Sequence, residues 1–182
     1  DDDVVSMGGT FDRLVSQGHQ VHIAYQVKGN IAVSDHDALK FIEVSKDMFK
    51  NNSKVPVGQL IKELVNNKPD KIDSQAVRDL KGFIRKREAI AATRYIGIPD
   101  SNTHFMNLPF YDTGRIKKNP PTTKDVLITA SLIKKIKPHQ IFAAGDLEDP
   151  HGTHKVCLDV ILDALDTLKG EKFIKDCWLW LY

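Results

Sequence analysis

One strand-turn-helix unit constrains this chain more than any other feature. The apolar run Gln140-Ile141-Phe142-Ala143-Ala144-Gly145 reads as a buried parallel strand, and residues 155–169 carry Val156, Val160, Ile161, Ala164, Leu165 and Leu168 at helical spacing. Runs at 19–26, 103–108 and 176–182 also read as strands, each separated from the next by helical patterns. That alternation predicts an α/β fold, a three-layer α/β/α sandwich with a mainly parallel sheet.

The longest helix is expected over residues 74–95, where Val77, Leu80, Ile84, Ala91 and Tyr95 mark a core stripe. Residues 35–67 hold two helical stretches separated by the polar, Pro-containing Asn51-Asn52-Ser53-Lys54-Val55-Pro56, which reads as an insertion in preference to a lid. With 182 residues, 41% of them hydrophobic, the chain is long enough for a single domain with a full core. A strand should precede Asp1 to complete the first strand-helix unit, and the apolar end Cys177-Trp178-Leu179-Trp180-Leu181-Tyr182 carries no stop signal, so chain is expected beyond both ends.

The polar segment Asp149-Pro150-His151-Gly152-Thr153-His154 falls between strand and helix. In open α/β sheets ligands bind beyond the carboxyl ends of the strands, so this is where a polar cluster is best placed for chemistry. Pro150 suits a helix entrance. His151 and His154 are three apart, so within a first helical turn they would share a face and could approach a common ligand. Imidazole is a common zinc donor, and a helix N-terminus favours nearby negative charge. His19 and His22 have the same spacing inside an alternating run that reads as a strand, where residues three apart point to opposite faces. They are expected to be ordinary structural residues. The opening Asp1-Asp2-Asp3, ahead of a helical pattern through Leu14 and Val15, is either a solvated acidic cap or a cluster relieved by a cation, with one acid binding it and a neighbour taking a proton from water.

Three segments together resemble the LmbE/PIG-L superfamily of zinc-dependent N-deacetylases: Asp1-Asp2-Asp3 with Met7-Gly8-Gly9, Asp149 to His154, and Arg85-Lys86-Arg87-Glu88 leading through Ala91-Ala92 to Ile96-Gly97. The resemblance covers nearly the whole chain and implies a Rossmann-like sheet. It implies Asp1 as general base, Asp2 and His154 as zinc ligands, His151 as the group that stabilises the intermediate or donates a proton, and Asp149 as its orienter. It further implies that Arg85 or Arg87 reaches the sugar and that Asn30, in the loop after the second strand, borders the site. The family's first motif places a His two residues before the first Asp; no residue precedes Asp1 in this sequence. Thr153 stands where many members carry an Asp.

The expected function is therefore removal of an N-acetyl group from an N-acetylglucosamine-type amino sugar or its conjugate. Zinc is the expected metal, although the same ligands could hold iron, cobalt or manganese. The alternative is a non-catalytic sugar-binding or regulatory domain on the same fold. A nucleotide-binding domain is disfavoured, because Gly8-Gly9 lacks the Gly-x-Gly-x-x-Gly spacing and the acids would repel a pyrophosphate. A net charge of +2 argues for neither nucleic acid nor a membrane as partner. Two cysteines give no disulfide framework, which suits a reducing, cytoplasmic setting; Cys157 and Cys177 read as small core residues of the last helix and last strand. Family members of this kind occur fused to a glucosamine-6-phosphate deaminase-like domain, and that fusion is a second expected partner. Around the strand ends, the residues favour a turn held by Pro109 over ligand contact by Tyr111 or Asp112, and Thr122 or Thr123 as a helix cap.

Overall fold

The computed structural model of the chain describes residues 2–48, 57–67, 71–115, 117–145, 148 and 152–182, the first three of these as backbone only. The elements run α1 (Asp2–Ser16), β1 (Ile23–Tyr25), α2 (Asp35–Met48), α3 (Val57–Val65), α4 (Gln75–Tyr95), β2 (Thr103–Phe105), α5 (Thr123–Ile136), β3 (Gln140–Ala143), α6 (Thr153–Thr167) and β4 (Trp178–Leu181). The fold is mixed α/β. Both strand pairs are parallel: Ile23 lies opposite Thr103 in β1 and β2, and Gln140 opposite Trp178 in β3 and β4.

Each expected strand is present but shorter than its apolar run, and among the described residues the strands pair two by two. Ladder bonds form only where two strands overlap, and the apolar runs are not buried throughout: Ala143 is the buried residue of β3, and Trp178, Trp180 and Leu181 of β4 are exposed. His19 and His22 consequently precede β1, and Cys177 ends a 3-10 turn, Lys172–Asp176, just before β4. The two cysteines are not joined by a disulfide. Among the described residues no helix is long and apolar enough to cross a membrane.

Local chemistry explains the element ends. Gly18, at φ +82°, closes α1: its N–H and that of His19 donate to the carbonyls of Val15 and Leu14 at 2.9 and 3.0 Å. The left-handed conformation this needs is open to glycine without a Cβ penalty. Thr122 caps α5, and Asp125 is its partner: the carboxylate accepts from Thr122 N at 2.8 Å and from Thr122 Oγ1 at 2.7 Å. The other oxygen accepts from Phe110 N at 3.0 Å, so this buried carboxylate also fastens the turn Pro109–Tyr111 to the helix. Burial alone would push the Asp125 carboxyl up, but the N–H and O–H donors from Phe110 and Thr122 outweigh it and hold the group below its ordinary value.

The chain groups into two compact units, one of residues Asp1–Val27 and Ala92–Tyr182, the other of Lys28–Ala91. In the first, Leu108, Phe110, Tyr111 and Val160 form one apolar cluster, with Val27, Met106, Ile128, Val156 and Cys157 packed against it. A second cluster joins α5 to α6 through Ala130, Ile133, Ala164 and Leu168. Full burial of a side chain such as Phe110 or Val160 stabilises by roughly 1.5–3 kcal/mol.

The second unit, which is the crossover from β1 to β2, has its own core of Val33, Ala38, Ile42, Leu60, Leu64, Val77 and Ile84. Beside it Lys81 is buried and donates to Asp35 at 2.6 Å and Asp73 at 2.7 Å, while Asn67 Nδ2 donates to both acids at 2.9 Å. Desolvation opposes the Lys81 charge, yet the two carboxylates raise its pKa on balance. The ammonium is thus held charged inside the unit, paired as a buried charge must be.

A candidate metal and substrate site

Two strand-end segments of the first unit pack beside α6. The backbone of Met106 donates to Tyr25 O, and that of Leu108 to Gln26 O, both at 2.9 Å, so the chain leaving β2 runs beside the chain leaving β1. Leu108 and Phe110 then enter the cluster that Val156 and Cys157 of α6 pack against. The amide side chain of Gln26 donates through Nε2 to Cys157 O at 3.1 Å.

His154 is the second residue of α6. It is half-buried, with its Nδ1 withdrawn from solvent. Gly152 precedes the helix at φ +66°, and Val156 N donates to Gly152 O at 3.2 Å. The helix starts at Thr153, two residues ahead of the apolar pattern over 155–169. The donor chemistry suits zinc, which takes imidazole nitrogen readily, and the first turn of a helix favours nearby anions. Among the described residues no group of three or more His, Cys, Asp or Glu stands close enough to hold a metal. Asp1, Asp149 and His151 lie outside the described residues, and Asp2 is described only as the first backbone residue of α1.

The expected substrate contacts lie in the second unit. Asn30 is buried, in the 3-10 turn Asn30–Ala32, behind Gly29 at φ +65°. Arg85 crosses this turn so closely that a Cβ on Gly29 would sit 3.5 Å from Arg85 Nε. Its Nη1 donates to Glu88 at 2.6 Å. The structure thus brings Asn30 and Arg85 into one neighbourhood. Arg87, two residues further along α4, has an exposed side chain.

No sequence pattern marks Gln26, the last residue of the strand expected over 19–26. The amide of a strand-end Gln carries no periodic signal. Its partner, a helix carbonyl, is invisible in sequence.

Comparison with known proteins gives two matches. The PIG-L family model, described as GlcNAc-PI de-N-acetylase, matches residues 1–165. A Bacteroides thetaiotaomicron protein described as glucosamine-6-phosphate deaminase-like is 47% identical over 191 residues, a match that takes in 100% of this chain and 29% of that protein. The chain thus spans less than a third of that curated relative's length. No solved structure matches.

Proposed function

Because the chain belongs to the PIG-L family of GlcNAc-PI de-N-acetylases, we propose that it is a zinc-dependent hydrolase that removes the N-acetyl group from an N-acetylglucosamine-type amino sugar or its conjugate. The observation that carries this reading is the family match across residues 1–165, which includes both polar motifs. His154 supports it by standing in the first turn of α6, after the carboxyl end of β3.

Asp2 and His154 are the residues of this chain that would hold zinc. When bound, the metal supplies a Lewis acid for the amide carbonyl and makes water nucleophilic near neutral pH. Asp1 takes the proton from the attacking water. His151, oriented by Asp149, donates a proton to the departing amine, without which the amide nitrogen is a poor leaving group. Asn30 and Arg85 or Arg87 bind the sugar; a guanidinium offers several N–H donors in a rigid fork, which suits hydroxyl or phosphate oxygens. The fold that carries these residues is the three-layer α/β/α arrangement. In the longer polypeptide we place this domain beside a glucosamine-6-phosphate deaminase-like one, by analogy with the relative's description.

The test is metal content by mass spectrometry together with acetate release from N-acetylglucosamine and its conjugates, on the full natural polypeptide and its His154→Ala variant. About one zinc per chain, lost with turnover in the variant, is the expected result. Zinc and turnover both retained in His154→Ala would overturn the assignment.

A further inference from the structure

We propose that Gln26 is a positioning residue that ties the turn of α6 carrying His154 to the end of β1. The proposal rests on the reading of His154 as a metal ligand.

The N-cap of α6 is Gly152, which has no side chain to accept from the first N–H groups of the helix. Contacts from outside the helix bear on the turn. Val156 and Cys157 pack against the Leu108, Phe110 and Val160 cluster, which is non-directional, and Gln26 Nε2 donates to Cys157 O at 3.1 Å, which is directional. Cys157 lies three residues after His154, on the same face of the helix. A carbonyl has two lone pairs, so Gln26 can bond this oxygen without displacing the helix ladder.

The other end of the tether is equally fixed. Gln26 directly follows β1, and its carbonyl accepts from Leu108 N at 2.9 Å. One residue therefore links the ends of β1 and β2 to the start of α6. An apolar residue would serve packing alone in this half-buried place. The amide adds a directional restraint on the turn. Outer contacts that fix a ligand's orientation typically govern metal affinity by one to two orders of magnitude.

The test compares Gln26→Met, which keeps the volume and removes the donor, with Gln26→Lys, which restores an N–H donor at similar reach. On the full polypeptide, zinc affinity is measured by chelator competition, and amide exchange along α6 is followed in the metal-free state together with the melting temperature. For Gln26→Met we expect zinc binding weakened about tenfold and faster exchange confined to residues 156–161 of α6, with an unchanged melting temperature. Gln26→Lys should recover part of both effects. Unchanged exchange over residues 156–161, or a general loss of protection with a falling melting temperature, would overturn the inference. If His154→Ala binds zinc as wild type does, the ligand reading fails by itself, and the exchange measurement still decides whether Gln26 holds the turn.

Discussion

His22 Nδ1 lies 3.0 Å from His104 Nε2, joining residues 82 positions apart. The ring centroids are 5.3 Å apart with planes within 11° of parallel, so the two nitrogens are the close contact of the pair. An N–H···N bond between imidazoles uses one proton. A proton added at the acceptor nitrogen removes the acceptor, makes that ring a cation and turns two N–H groups toward each other.

Burial pushes both imidazoles below their ordinary pKa, with Lys135 adding to this for His22, and His22 and Lys135 adding to it for His104. A base with a lower pKa in the folded than in the unfolded state contributes fully above about pH 6.5 and loses that contribution as pH falls through the folded value. Thermal melts over a pH series should therefore show wild type losing stability on acidification below about pH 6.5. His104→Gln should lose less over the same range. An identical slope in the variant would show that the pair does not titrate in this way.

Asp125 holds three donors from two segments. In Asp125→Asn one acceptor oxygen becomes a donor facing an N–H, so a buried group is left unsatisfied at a cost of about 2 kcal/mol. Chemical denaturation should read this as an earlier midpoint with an unchanged slope. Because the wild-type carboxyl titrates below its ordinary value, its contribution is present above about pH 4 and fades as pH falls further. The variant should be less sensitive than wild type in that acid range.

Gly145, two residues past β3, stands against the end of β4. Its N–H donates to Tyr182 O at 2.9 Å, and a Cβ there would stand 2.8 Å from Leu181 Cβ. That atom sits on the backbone and cannot swing aside, so Gly145→Ala should destabilise by about 1–3 kcal/mol. Leu181→Ala keeps the offending atom and gives no relief. Leu181→Gly should remove most of the penalty in a double-mutant cycle, and additive effects of the two substitutions would refute the clash.

On the proposed function, Arg85 binds substrate without taking part in proton transfer. Arg85→Ala should then raise KM about tenfold with little change in kcat, the signature of lost uniform binding. Arg85→Lys should recover only part of this, since an ammonium lacks the planar fork. Steady-state kinetics on acetylated amino sugars, with an unchanged melting temperature as control, would read it. A fall in kcat alone would instead assign Arg85 to the chemistry.

The elements themselves were legible from the residues. Apolar periodicity placed α4 and α6 to within two residues, although Ala91 and Tyr95, expected in the core stripe of α4, are exposed; the two helices within residues 35–67 were anticipated, and Thr122 was one of two residues named as the cap of α5. The segment between β3 and α6, with Asp149 and His151, lies largely outside the described residues. Partners were not legible. Nothing near His22 names His104, nothing near Gly29 names Arg85, and nothing near Gln26 names the carbonyl of Cys157. Local spacing determines which residues share a face, since the helix and strand repeats are short-range properties of the backbone. Which faces meet, and in what register, is set by long-range packing and by loop closure between distant segments, and that the tertiary structure alone decided.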